Sequence, residues 1–291
     1  MSDPESITLT AADGQLLAAS HYAPAAMAPP LGLALQINSA TAVPRRFYDA
    51  FARHAAGRGF AVLSYDYRGI GQSNSGRAAQ YTMLDWAERD AAAAGAWLQQ
   101  NHPGCRLCVI GHSFGGQILG LTPQAADYAA ALLVASQSGH WRHWPAGWPR
   151  LRMFLLWHLL IPLLTRLYGR MPGALFGGEP LPPGVALQWA RWGRSRHYIS
   201  DAAGAPLRPY NPLLKAPLLS LSFSDDPIAP KAAVDALLGY YPAARIERRH
   251  IAPADWGLPK LGHFGLFHRA MPVQHWDALL DWLASAALPA R

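Results

Sequence analysis

The chain has 291 residues, 51% of them hydrophobic and 15% charged, which is enough to bury a large core and excludes a disordered protein. Its formal net charge of +7 is local: residues 137–210 carry nine arginines against only Glu179 and Asp201, together with six of the eleven tryptophans. The rest of the chain is charge-balanced and has no lysine run and no nucleic-acid-binding motif, so nucleic acid is not expected as a partner.

The opening stretch, MSDPESITLTAADGQ, lacks the basic start and apolar run of a secretory signal, so a cytoplasmic protein is expected. Runs rich in β-formers follow at 5–10, 15–22, 31–37, 60–66, 106–111, 130–135, 217–223 and 244–251. Helix-like stretches lie between them. The stretch 44–59 has Pro44 in a first-turn position and glycine at its end; 82–104 follows a threonine cap and stops at His-Pro-Gly. Further helical stretches are read at 114–121, 230–240 and 274–287. Two opening strands followed by strand–helix alternation predict an α/β fold: a mostly parallel eight-stranded sheet covered by helices on both faces.

The alternation breaks at 137–210, where Trp, Pro, Gly and Arg accompany helical pieces before the β pattern resumes. This segment is read as a cap inserted into a core formed by 1–136 and 211–291. Its most apolar window, 151–169, has about the length of a membrane span, but Arg152, His158, Pro162 and Arg166 interrupt it, so no transmembrane segment is expected.

Cys105 and Cys108 form a CxxC at the start of a predicted strand, not at the helix N-terminus that a redox pair needs. No second pair completes a zinc site, so buried, inert thiols and no metal are expected.

The chemistry concentrates in VIGHSFGGQ, residues 109–117, where an apolar strand runs into Gly-X-Ser-X-Gly and then a helix-like run. Glycines there cost backbone entropy, so the bend must require them. They hold Ser113 at the apex of a tight strand-to-helix turn with its hydroxyl exposed, and leave the N–H of Phe114 to bind an oxyanion beside the positive end of the helix. A serine needs a histidine base oriented by a carboxylate, and after such a bend the acid and then the histidine should follow in the chain. Asp226 heads the turn after PLLSLSFS and is preferred over its neighbour Asp225, for which substrate contact is one alternative and a turn or helix cap the simpler role. His263, in the glycine-flanked loop KLGHFGLF, is preferred over His268, His250 and His275, while His112 is read as packing. The loop INSATAVP after the third strand should supply the second oxyanion donor, from Ala40 or Ser39, with Asn38 ordering it.

These residues resemble the α/β-hydrolase superfamily across nearly the whole chain. GHSFGG is similar to its nucleophile elbow, YDYRGIGQS (65–73) to its Asp-X-Arg-Gly-X-Gly-X-Ser turn, SDDPIAP to its acid turn and GHFG to its histidine loop. The chain is most similar to bacterial members related to the serine-aminopeptidase and monoglyceride-lipase-like branch. The sequence departs from the superfamily at NSA, where His-Gly is usual.

The expected activity is a serine hydrolase cleaving an ester or thioester of a small to medium apolar acyl substrate, with no cofactor. Acyl transfer by the same triad, or a non-catalytic binding protein on the same fold, are the alternatives. For the cap two readings stand side by side: tryptophans pack it onto the core while arginines cover apolar surface with their stems; or aromatic residues line an acyl pocket while arginines hold an anionic group. Ser39 from the loop after the third strand, and Trp189, Trp192 and Arg194 from the cap, are expected to contact substrate. The same basic, tryptophan-rich face also suits peripheral contact with an anionic membrane.

Overall fold

The eight expected strands form within two residues of their predicted bounds: β1 (Glu5–Thr10), β2 (Leu16–Tyr22), β3 (Leu33–Asn38), β4 (Ala61–Tyr65), β5 (Arg106–His112), β6 (Ala130–Val134), β7 (Pro217–Phe223) and β8 (Arg245–Ile251). The computed structural model describes residues 3–28, 31–74, 80–173 and 177–288; residues 174–176 of the predicted cap lie outside these. The strands make one sheet in the order β1-β2-β4-β3-β5-β6-β7-β8, antiparallel where β2 meets β1 and β4 and parallel elsewhere.

The pleat sorts alternate residues to opposite faces. On one face Ile37, Val62, Ile110, Val134 and Leu221 pack under the helices α1 (Asp49–Gly57) and, at the C-terminus, Val273–Ala287. On the other face Ala34, Leu63, Val109, Leu133 and Leu218 join a second core with Trp86 of the helix α2 (83–101). Both faces are covered, which is why the central strands read as unbroken apolar runs.

Local chemistry sets the helix ends. Thr82 Oγ1 accepts from Asp85 N at 3.2 Å and Asp85 Oδ2 accepts from Thr82 N at 2.8 Å, a reciprocal cap that starts α2. A π turn at Trp86–Ala91 brings Asp90 against the buried Arg68, whose Nε donates to Asp90 Oδ1 at 2.7 Å and whose Nη1 donates to Asp13 Oδ2 at 2.7 Å. Asp66 accepts from the N–H of Arg45 at 2.6 Å, and Ser73 Oγ donates to the Asp66 carbonyl at 2.8 Å. The Asp-X-Arg-Gly-X-Gly-X-Ser turn is thus a buried polar clasp that ties the loops after β1, β3 and β4 together.

One predicted helix is shorter than expected. Over 114–121 only Phe114–Gln117 (α3) is α-helical, followed by a 3₁₀ turn at Leu119–Leu121. Close approach is the reason: a Cβ on Gly115 would lie 2.1 Å from the Asn38 carbonyl oxygen, and one on Gly120 would lie 2.1 Å from Asn211 Oδ1. A single turn has little macrodipole, so at this bend the free N–H groups themselves are what remains for an anion.

Between β6 and β7 the chain leaves the sheet for α4 (Trp148–Tyr168) and α5 (Pro183–Arg194). By length and composition α4 is long and apolar enough to cross a membrane. Pro162 does not end it; a π turn at Leu156–Leu160 precedes the proline and the helix continues. Beyond these come α6 (Lys231–Leu238) and α7 (Val273–Ala287).

Candidate active site

The carboxyl ends of the central parallel strands point to one region, the place where open α/β sheets collect ligand-binding groups. Ser113, directly after β5, has φ 51° and ψ −112°, a left-handed conformation that a non-glycine residue adopts only when its surroundings compel it. The compulsion is visible: its N–H donates to the Val134 carbonyl at 2.9 Å, and a Cβ on Gly111 would sit 2.3 Å from Gly116 Cα. Strand and helix backbones touch here, so the expected role of the glycines is met.

Asp226 lies in the turn after β7. Its Oδ1 accepts from the N–H groups of Ile228 (2.8 Å) and Ala229 (3.1 Å), and its Oδ2 accepts from His263 Nδ1 at 2.8 Å. Both side chains are buried. Because a carboxylate only accepts, Nδ1 of His263 carries the proton and Nε2 of the neutral ring is left with its lone pair. Asp225 has a different task from the turn or cap expected of it. Its two oxygens accept from the N–H groups of Leu261 and Gly262, each at 2.9 Å, and so clamp the histidine loop. His268 is exposed, with its Nδ1 accepting from Ala270 N at 3.3 Å.

Ser113 and His263 line the same cavity of about 630 Å³, together with Ala40 and Thr41. The remaining wall is mostly apolar: Trp144, Trp148, Met153, Leu155 and Leu156 are among its residues, with Trp157, Trp189 and Tyr198. Arg152 is the one arginine or lysine among the lining residues.

Four expected site residues are placed otherwise. The N–H of Ala40 donates to Tyr48 Oη at 2.9 Å, so it is already engaged. Ser39 is buried and does not line the cavity. Trp192 is fully buried, with Nε1 donating to the Ser200 carbonyl at 2.8 Å; it packs the segment instead of lining the cavity. Arg194 donates to the Trp157 carbonyl at 2.7 Å. That carbonyl belongs to the π turn just before Pro162, which has no N–H to offer, so the guanidinium serves the helix and not a ligand. Trp189 does line the cavity, its Nε1 donating to Tyr198 Oη at 3.1 Å, and Tyr198 Oη donates to Gln117 Oε1 at 2.7 Å. Phe114 is fully buried against Tyr67 and Trp86; as the first residue of its helix it has no intrahelical partner for its N–H, which makes no other backbone hydrogen bond among the described residues.

Residues not anticipated include Tyr48 and His112. His112 Nε2 donates to the His263 carbonyl at 2.9 Å, so its Nδ1 accepts from Tyr48 Oη at 2.8 Å, and Tyr48 in turn accepts from Ala40. Burial pushes the His112 pKa down to about 3, with a smaller contribution from His263, so the ring is neutral. Asn38 Oδ1 accepts from Tyr65 Oη at 2.7 Å and from Gln36 Nε2 at 2.8 Å, which holds the end of β3. No motif marks Arg152 and the leucines around it as cavity residues; their three- and four-residue spacing is the signal that places them on the faces of one helix. Cys108 is buried and unpaired, with burial raising its thiol pKa to about 12, whereas Cys105 is only half-buried.

No curated protein matches the chain. Solved structures do. An esterase from Pyrococcus furiosus is 14% identical over 98% of this chain and 92% of its own, with a TM-score of 0.63. The esterase domain of a Rhodothermus marinus protein is 19% identical over 99% and 100%, with a TM-score of 0.60. A serine hydrolase without lid from Xanthomonas campestris is 14% identical over 100% and 98%, with a TM-score of 0.57. At such identities these likenesses speak to the fold alone. The profile of the alpha/beta hydrolase family matches residues 37–281, which takes in every strand from the end of β3 onward and both of the loops that meet at Ser113. The chain belongs to the alpha/beta hydrolase family.

Proposed function

We propose that the protein is a serine hydrolase that cleaves a carboxylic ester or thioester of an apolar acyl substrate through an acyl-enzyme. One observation carries this reading: His263, with its Nδ1 proton fixed on Asp226, shares an apolar cavity with a serine held at positive φ. Ser113 Oγ attacks the carbonyl carbon. His263 Nε2 takes the hydroxyl proton and returns it to the leaving group, and the Asp226 carboxylate stabilises the imidazolium formed in between. Water then repeats the sequence on the acyl-enzyme.

The Phe114 N–H is one oxyanion donor. With Ala40 committed to Tyr48, the second falls to Thr41, which lines the cavity and whose N–H makes no backbone hydrogen bond among the described residues. Such a donor is worth on the order of 10²–10³ in kcat. Residues 137–210 act as a cap whose α4 forms the acyl-binding wall, and Arg152 takes over from Arg194 as the position that meets an anionic group. The Pyrococcus neighbour is an esterase and the Rhodothermus neighbour an esterase domain, which supports an ester substrate.

The test is covalent labelling with a fluorophosphonate, followed by a chain-length series of p-nitrophenyl esters and acyl thioesters. Labelling abolished in Ser113→Ala, and turnover rising with acyl length until the cavity is filled, are the expected results. Labelling that persists in Ser113→Ala overturns the assignment.

A further inference from the structure

The outer face of α4 exposes a stripe of large hydrophobic side chains. Among the described residues, eight of the fifteen exposed large hydrophobic side chains lie on this one helix. Leu151, Leu155, Leu159, Leu163 and Leu167 repeat every four residues, and the π turn at Leu156–Leu160 absorbs the excess over the helical period so that they stay on one side. The opposite stripe, Met153, Trp157, Ile161 and Thr165, is buried. It packs tightly on α5: a Cβ on Gly193 would meet the Trp157 ring at 2.4 Å. The helix is therefore held on the protein by one face while it offers leucines on the other, which suits lying on a bilayer and not crossing one.

Charge indicates what covers this face. No acidic residue occurs between Asp127 and Glu179, while Arg152, Arg166 and Arg170 are exposed and form no ion pair among the described residues. Exposed leucines rimmed by unpaired arginines match the interface of an anionic leaflet. The position of the face adds a reason. Leu155 and Leu159 belong both to the exposed stripe and to the cavity wall, so the mouth of the cavity opens on the same surface.

We propose that α4 docks on an anionic phospholipid bilayer and that an acyl chain passes from the bilayer between its leucines into the cavity. The passage of substrate rests on the hydrolase reading; the docking does not. The test is co-sedimentation of the full chain with vesicles of phosphatidylcholine alone and of equal parts phosphatidylcholine and phosphatidylglycerol. Binding is expected to the mixed vesicles, weakening about fivefold for each of Arg166→Gln and Arg170→Gln and on raising salt. Leu163→Asn and Leu167→Asn, outside the cavity wall and already exposed, should each weaken it roughly tenfold while leaving turnover of a water-soluble short-chain ester unchanged. No binding, equal binding to both vesicle types, or leucine variants that bind like wild type would overturn the docking. So would light scattering that shows a dimer dissolved by the same leucine substitutions, since a second copy would then cover the face. Vesicle binding without any esterase activity would retain the docking and remove the hydrolase reading.

Discussion

His112 Nε2 donates to the carbonyl oxygen of His263 at 2.9 Å. The residue beside Ser113 thereby grips the backbone of a residue 151 positions later, and through Tyr48 the same chain of hydrogen bonds reaches the Ala40 N–H. Nucleophile turn, histidine loop and the loop after β3 are one buried polar network, in which each donor has one acceptor.

Tyr48→Phe removes the hydroxyl on which two of these bonds depend, leaving the Ala40 N–H and His112 Nδ1 buried without partners. A loss of about 1–3 kcal/mol in stability is expected. Chemical denaturation checks this, and kcat should fall with it because the His263 loop loses its inner anchor.

The network also makes stability sensitive to acid. His112 has a pKa of about 3 in the fold against 6.5 in the unfolded chain, so the unfolded state takes up the proton first. The stability present above pH 6.5 is lost as pH falls toward 3, by at most about 1.4 kcal/mol per pH unit. Thermal melts of wild type and His112→Gln between these pH values should converge from the alkaline side, with the variant showing the flatter profile.

The two neighbouring aspartates separate cleanly. Asp226→Asn leaves the packing nearly intact but can donate to His263 Nδ1, which favours the wrong tautomer; a fall in kcat of about 10⁴ is expected. Asp225→Asn weakens the clamp on Leu261 and Gly262, so it should cost stability and a smaller part of kcat. Steady-state kinetics alongside melting curves tell the two apart.

Gly115→Ala places a methyl group 2.1 Å from the Asn38 carbonyl oxygen, a backbone atom that cannot swing aside. Destabilisation of about 1–3 kcal/mol or more is expected, visible as a lowered denaturation midpoint. Labelling of Ser113 should fall in the protein that still folds.

Arg194 and Arg152 make opposite predictions. Arg194→Ala bares the Trp157 carbonyl and should lower stability by about 1 kcal/mol without changing the ratio of kcat/KM between anionic and neutral esters. Arg152→Gln should shift that ratio toward the neutral ester at unchanged stability.

The strand positions, the sharp bend at Ser113 and the pairing of Asp226 with His263 were all legible in the residues. Local rules carry them: apolar runs set the strands, glycines mark the backbone contacts, and chain order limits which acid and histidine can follow such a bend. The inner ends of the site were not legible. Nothing near Tyr48 or Asp225 in the chain hints that one would engage Ala40 and His112, or that the other would clamp the loop at Leu261 and Gly262, because these partners meet only once parallel strands bring distant loops together. The same holds for residues 137–210. Composition marked the segment as unusual, but which tryptophans and arginines face the cavity depends on how α4 and α5 roll against each other. Packing of Trp157 on Gly193 decides that rotation, turning Arg194 onto a helix carbonyl and leaving Arg152 at the cavity.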